Sequence, residues 1–107
     1  MLENSIWSRY HKEQSIHEVL TALLKVDETY LTQDEGELYA TLKRVLTKKE
    51  LRLFVMSEAK IEAAVIAAEL GMESESFEKA KKKTYGKLKG TKLAQQFKTA
   101  HQNENNS

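Results

Sequence analysis

The chain contains no proline and only four glycines, at positions 36, 71, 86 and 90. Proline and glycine are the residues that most strongly interrupt helices, so long stretches of this chain have nothing to stop a helix. Alanine, leucine, glutamate and lysine, which all favour helices, are frequent in these stretches. The sequence therefore predicts an all-α fold, and 107 residues suffice for one small helical domain of five or six helices.

Hydroxyl and carboxylate side chains three residues apart mark two predicted helix starts. Thr32 with Glu35, and Thr47 with Glu50, fit the capping-box pattern, in which the two side chains satisfy free backbone N–H groups. Apolar residues at helical spacing follow each start and predict the side that faces the core. They are Leu38, Tyr39, Leu42, Val45 and Leu46 after the first start, and Leu51, Phe54 and Val55 after the second.

Near the N-terminus, apolar residues at helical spacing over residues 14–30 predict one long helix. Residues 2–13 either extend this helix or form a separate turn, and one side of that segment carries Ile6, Trp7 and Tyr10. These three residues either pack in the core or form an apolar anchor for a partner or a second copy of the chain. Aromatic residues are common in both places.

A glycine at position 71 separates two predicted helices in the C-terminal half. Gly71 suits the left-handed conformation in which many helices end, so the alanine-rich helix before it should end at Leu70. Ser74 is a suitable N-cap for the next helix, over residues 75–89. Residues 91–107 are expected to form a frayed polar tail after a short helix with three apolar residues, Leu93, Ala94 and Phe97.

The spacing around Gly71 is typical of a helix-turn-helix. Two short helices that cross steeply need a small residue on the first helix and a glycine in the turn, and Ala67 and Gly71 meet this need four residues apart. Leu88 follows Phe77 by eleven residues, three helical turns, and so returns to the same face. Four apolar residues should hold the two helices together, namely Ile66, Leu70, Met72 and Phe77.

The block LTKKELRLFVMSEAKIEAAVIAAELGMESESFEKAKKKTYGKLK, residues 46–89, resembles the C-terminal DNA-reading domain (region four) of bacterial sigma factors. It is also similar to the related helix-turn-helix of LuxR-type regulators. That pattern has Glu-Ile-Ala-x-x-Leu-Gly, then Ser-x-x-Thr-Val, then a basic stretch ending Arg-Ala-x-x-x-Leu. Leu70 and Gly71 match it outright, and its other positions fall on Val65, Ile66, Ala67, Ser76, Phe77, Lys83, Thr84 and Leu88.

The resemblance implies a small transcriptional regulator whose last long helix enters the major groove of double-stranded DNA. Residues 1–45 would support and dimerise it, residues 46–90 would form the helix-turn-helix module, and residues 91–107 the short helix and tail. The N-terminal helices, with Ile6, Trp7 and Tyr10, are the expected surface of a homodimer. The expected DNA-binding residues are Ser74, Glu75, Ser76 and Lys79 nearest the bases, with Lys81, Lys82, Lys83 and Lys87 along the phosphates.

Charge is distributed unevenly along the chain. Residues 1–76 hold 9 basic and 14 acidic side chains, whereas residues 77–107 hold 8 lysines and two glutamates. This segregation is typical of a basic surface that faces a polyanion, but lysines that only solvate a helix give the same pattern. Glu73, Glu75 and Glu78 depart from what a phosphate-binding helix favours, although acids in a first turn also suit the helix dipole.

Other functions find less support in the sequence. The chain has no cysteine and no glycine-rich phosphate loop, and His11 and His17 lack the spacing of a helical metal pair, so we expect no enzyme, metal or other cofactor. Without a signal-peptide pattern or an apolar run of about 20 residues, a cytoplasmic protein is expected. The alternatives to a DNA-binding protein are a protein–protein interaction adaptor that docks through its acidic half or its aromatic anchor, and a purely structural domain.

Overall fold

The computed structural model describes residues 5–90, and this part of the chain contains six helices. In chain order they are α1 (Ile6–Tyr10), α2 (Ile16–Leu24), α3 (Glu35–Val45), α4 (Lys48–Glu58), α5 (Ala63–Leu70) and α6 (Ser74–Lys89). The all-α prediction is confirmed. The short helix expected at Leu93, Ala94 and Phe97, and the polar tail after it, lie outside the described residues.

The single long helix predicted over residues 14–30 is wrong, because α2 ends much earlier. Lys25 closes it in the left-handed conformation, with φ of 56°. The carboxylate of Asp27 then accepts hydrogen bonds from the backbone N–H and the hydroxyl of Thr29, at 2.8 and 2.7 Å, which fixes a turn. Leu31 is fully buried although it lies in the loop after α2. Apolar residues therefore continue past the end of the helix, and their spacing alone does not show where the helix ends. α1 is separate from α2.

Two helices begin with complete capping boxes. At α4 the predicted pair forms, since the Thr47 hydroxyl accepts from the backbone N–H of Glu50, whose carboxylate accepts from the backbone N–H of Thr47. Ser15 and Glu18 make the same pair of contacts at the start of α2. This second box fits the same sequence pattern and was missed.

The capping box predicted for Thr32 and Glu35 does not form, because Asp34 caps α3 instead. The Asp34 carboxylate accepts hydrogen bonds from two backbone N–H groups in the first turn of α3, at 2.9 and 3.2 Å. Glu35 instead reaches across to α2. Its two carboxylate oxygens accept from the backbone N–H groups of Ile16, at 2.8 Å, and of His17, at 2.9 Å. One acidic side chain thus caps a neighbouring helix.

The buried apolar side chains form two clusters on the two sides of α4. The first contains Trp7, Ile16, Val19, Leu20, Leu31, Leu38, Leu42, Leu46, Leu51, Phe54, Val55 and Leu88. The second contains Leu53, Met56, Ile66, Ala67, Leu70 and Phe77. Because Phe54 and Leu53 of α4 point into different clusters, this helix is shared by the N-terminal helices and by α5 and α6. Tyr10 and Tyr85 touch both clusters.

Trp7 is a core residue, which decides between the two interpretations of the N-terminal aromatic group. Only 3% of its surface is exposed, its ring stacks on His11 with 3.8 Å between centroids, and its indole N–H donates to the Gln14 carbonyl at 3.1 Å. Ile6 and Tyr10 are partly buried against the same cluster. The expectation that Trp7 serves as a surface anchor is therefore wrong, since its apolar area is already used within the chain.

Candidate nucleic-acid interface

The turn between α5 and α6 has the conformation that the sequence predicted. Gly71 is left-handed, with φ of 68°, a conformation that glycine adopts with little strain. Its N–H donates to the Ala68 carbonyl at 3.2 Å, and the N–H of Met72 donates to the Ala67 carbonyl at 2.8 Å. These two bonds satisfy carbonyl groups at the end of α5, and three residues later α6 begins.

The predicted apolar contacts across the turn are also present. Ile66, Leu70 and Phe77 are buried, with 1%, 5% and 2% of their surfaces exposed, and Met72 is partly buried against them. Ala67 is buried at the crossing, where its small side chain lets the helices approach. α5 and α6 therefore pack as the two helices of a helix-turn-helix.

Both ends of α6 are fixed to the core. Phe77 enters the second cluster near the start of the helix, and Leu88, fully buried, enters the first cluster near its end. Between them Thr84 is also fully buried, and its hydroxyl donates to the Ala80 carbonyl at 2.7 Å. The opposite side of the helix is thereby held toward solvent along its whole length.

The sequence predicted Ser74 as the N-cap of α6, but Ser74 is the first residue of the helix itself. The turn after Gly71 is one residue shorter than expected, so Glu73 occupies the N-cap with an extended backbone and no side-chain capping bond. Ser74, Glu75 and Ser76 are all exposed at the beginning of the helix. The residues expected nearest the bases are therefore accessible.

Four exposed lysines of α6 form what we call its lysine face: Lys79, Lys81, Lys82 and Lys83. Lys89, the last residue of the helix, is also exposed but is not counted in this face. Lys81 and Lys83 are two residues apart, so they project about 160° apart around the helix axis. Within residues 5–90, no carboxylate forms an ion pair with any of the four. The lysine face thus offers charge on both flanks of α6.

The fifth lysine expected at the phosphates, Lys87, has a structural role instead. Its ammonium group lies 2.7 Å from a carboxylate oxygen of Glu50, and the two groups form a hydrogen-bonded ion pair. This contact places the Lys87 side chain on the side of α6 that faces α4. Lys87 was predicted to lie along the phosphates, but here its ammonium group is already paired within the protein, and no local sequence signal pairs it with a residue 37 positions away.

Glu50 is held in its ionised form by these contacts. Burial by itself would raise the pKa of the carboxyl. Hydrogen bonds from Lys87 and from the backbone N–H of Thr47, together with the positive charges of Lys87 and Lys83, outweigh burial and leave the pKa below its ordinary value. The ion pair is therefore complete at neutral pH.

Tyr85 also belongs to the packed side of α6. Its ring lies edge-on to Phe54, with 5.7 Å between centroids, and its hydroxyl donates to the Glu58 carboxylate at 2.6 Å. Burial, with the hydrogen bond to Glu58 and the charge of that carboxylate, raises the pKa of Tyr85 well above its ordinary value. The Tyr85 ring therefore packs against α4 and contributes to the crossing of the two helices.

The polar contacts between α4 and α6 define how the two helices cross. Glu50 and Glu58 are eight residues apart, which is about 12 Å along α4. Their partners, Lys87 and Tyr85, are two residues apart, about 3 Å along α6. The two contacts therefore join the last two turns of α6 to the two ends of α4.

The charge of the helix-turn-helix changes sign within α6. Residues 61–78 carry five glutamates and no lysine or arginine. All five are exposed: Glu62, Glu69, Glu73, Glu75 and Glu78. Beyond them, residues 79–89 carry six lysines and no acid. The part of α6 suited to phosphate therefore begins at Lys79, because the acidic first turn of the helix repels phosphate.

The described part of the chain offers neither a metal site nor a membrane span. Within residues 5–90, no three histidine or acidic side chains lie together in a way that could hold a metal ion. Over the same range, no helix combines the length and the apolar character needed to cross a bilayer.

Comparisons with known proteins found no similar protein. No family model matches the chain, and neither a curated protein nor a solved structure matches it. The likeness to sigma region four and to LuxR-type regulators therefore stays a prediction from the sequence of residues 46–89.

Proposed function

We propose that this protein binds double-stranded DNA through the lysine face of α6 and acts as a small, non-enzymatic transcriptional regulator. The observation that carries the proposal is the exposure of Lys79, Lys81, Lys82 and Lys83 on a helix that follows a tight turn. Exposed lysines without carboxylate partners are what counterion release from a phosphate backbone requires.

The dimensions of α6 support binding in the major groove. Its 16 residues make a rod about 24 Å long, and a helix with side chains is about 10–12 Å wide, close to the width of the groove. Lys81 and Lys83 project toward opposite flanks. A helix lying in the groove could therefore place one lysine against each phosphate backbone.

We assign base recognition to the first turn of α6. Ser74, Ser76 and Lys79 can each contact base edges, and Glu75 can accept a hydrogen bond from cytosine. The carboxylates of Glu75 and Glu78 repel phosphate, and lysine offers no bidentate contact to guanine. We therefore propose strong, salt-dependent binding to phosphates with weak sequence preference.

A binding assay tests this proposal directly. Fluorescence anisotropy with a mixed-sequence duplex of about 20 base pairs, at about 50 mM salt, should show binding by the whole protein. Replacing Lys82 and Lys83 together by alanine should weaken it roughly tenfold or more, on every sequence. The matched control replaces Lys12 and Lys43, two exposed lysines outside α6. Equal losses for the two pairs would refute a specific role for α6.

The resemblance to bacterial regulators also bears on where the protein acts and on how many copies bind DNA. DNA lies in the cytoplasm of bacteria, so we propose a cytoplasmic location. An isolated helix-turn-helix commonly binds as a homodimer, and we retain this for the N-terminal helices, where Ile6 and Tyr10 keep part of their surface exposed. Sedimentation of the protein with and without duplex DNA measures the stoichiometry.

A further inference from the structure

The outward side of α5 is apolar, which is unusual for an exposed helix. Val65 is 49% exposed, and within residues 5–90 no other large hydrophobic residue is exposed to this extent. Ala63, Ala64 and Ala68 are exposed around it. A surface helix normally carries charged or polar residues on this side. Phosphate binding by α6 does not use this surface.

Two shallow grooves flank the exposed side of α5. One, of about 510 Å³, is lined by Ala64, Val65, Ala68 and Glu69. The other, of about 480 Å³, lies between α5 and α6, where Met72 and Phe77 form part of its wall. Both grooves share Ala64 and Ala68, so the side chains between them form only a low ridge. Apolar side chains of another molecule could enter both grooves at once.

The charge around these grooves indicates what kind of molecule fits. Five exposed glutamates and no basic residue occur over residues 61–78. Glu62 is the N-cap residue of α5, and Glu69 lies within the helix. Glu78 borders the groove between α5 and α6. A polyanion such as DNA would be repelled by the glutamates along α5. A second copy related by a two-fold axis would place the same glutamates against each other, so it is also disfavoured.

We infer that the outward side of α5 docks an amphipathic helix of a protein partner, with apolar residues on one side and lysine or arginine along the edges. The alanine ridge lets the partner backbone approach closely, the grooves beside Val65 and Phe77 take its apolar side chains, and the glutamates pair with its basic residues. The helix has only eight residues, so the contact is small and readily reversible. This inference does not depend on DNA binding.

A model peptide on the full-length protein tests this inference. The probe is a labelled helix of about 18 residues, with leucines on one side and lysines on the other. One comparison peptide carries glutamate in place of lysine, and another is oligolysine of equal charge. We expect only the amphipathic basic helix to bind, and its amide shift changes in NMR spectra to map to α5. Equal binding of oligolysine, or shift changes centred elsewhere, would overturn the inference.

Substitutions on α5 provide the second arm. Val65→Ser with Glu69→Lys should weaken peptide binding at least tenfold, while Glu13→Lys, at an exposed residue outside α5, should change it less than twofold. Circular dichroism checks that the fold is kept, and Ala68→Gln replaces the double variant if it is not. Unchanged peptide binding in a folded α5 variant would overturn the inference. So would sedimentation showing a dimer that Val65→Ser dissociates, because the occupant would then be a second copy.

Discussion

Lys87 and Glu50 form an ion pair, with 2.7 Å between Nζ and Oε1, that joins the last turn of α6 to the first turn of α4. The same carboxylate oxygen accepts the backbone N–H of Thr47 at 2.9 Å. Glu50 therefore caps the start of α4 and also binds α6 through Lys87. A lysine that the sequence assigned to phosphate instead fixes the helix that presents the remaining lysines.

Replacing Glu50 should be more destabilising than replacing Lys87. Glu50→Ala removes both a cap contact and the ion pair, so we expect the free energy of unfolding to fall by about 2 kcal/mol. Lys87→Ala removes the ion pair alone and should cost about 1 kcal/mol. Urea denaturation measures both. Lys49→Ala, at an exposed residue of the same helix, should change stability by less than about 0.5 kcal/mol. Similar losses for all three variants would contradict the shared role of Glu50.

The stabilising effect of Glu50 should depend on pH. Its pKa is lower in the folded state, so its contribution is fully present above the ordinary value of 4.5 and is lost as the pH falls through the folded-state pKa. The stability difference between the natural protein and Glu50→Gln should be constant near neutral pH and shrink in acid. Denaturation curves at a series of pH values test this, and a difference that persists undiminished far below pH 4.5 would argue against it.

Glu35 should matter more for stability than its place in a first turn suggests. Its carboxylate satisfies the backbone N–H groups of Ile16 and His17 at the start of a different helix. Glu35→Ala should therefore cost about 1–2 kcal/mol, in the range of an N-cap. Glu37→Ala, in the same turn but exposed, is the control and should cost less than half as much. Thermal unfolding compares them, and equal melting temperatures for the two variants would be inconsistent with the cap.

Gly86 should be replaceable with a gain in stability. It lies in the last turn of α6 and is exposed, does not have a positive φ, and an added Cβ would meet no atom within 4 Å. Glycine inside a helix is less favourable than alanine, so Gly86→Ala should raise the free energy of unfolding by about 0.5–1 kcal/mol. By contrast, Gly71→Ala should be destabilising, because Gly71 is left-handed. Denaturation that shows the same sign of change for both would contradict these backbone assignments.

The features that the sequence predicted correctly depend on neighbouring residues. The capping box of Thr47 and Glu50 and the end of α5 at Gly71 each involve only a few positions along the chain, so their residue types suffice to identify them. The apolar stripe with Phe77 and Leu88 was also predictable, because helical spacing alone puts both on one face. The shape of the helix-turn-helix follows from these local signals.

The errors concern residues for which two partners compete. Thr32 and Asp34 are both suitable N-cap residues, and Asp34 caps α3 because its carboxylate accepts hydrogen bonds from two free N–H groups of that helix. Glu35 and Lys87 each bind a partner on a distant helix, and those distances become short only when the core packs. The exposure of Lys79, Lys81, Lys82 and Lys83 was therefore predictable from helical spacing, whereas the ion pair of Lys87 with the buried carboxylate of Glu50 was not.

The salt dependence of duplex DNA binding tests the central claim most directly, because it counts the phosphates that the lysines neutralise. With the four lysines of the lysine face, the logarithm of the association constant should fall with the logarithm of salt concentration with a slope of about −3 to −4. Replacing Lys82 and Lys83 by alanine should make the slope shallower by about 2. A slope near zero for the natural protein, or the same slope with and without these two lysines, would contradict DNA binding through the lysine face of α6.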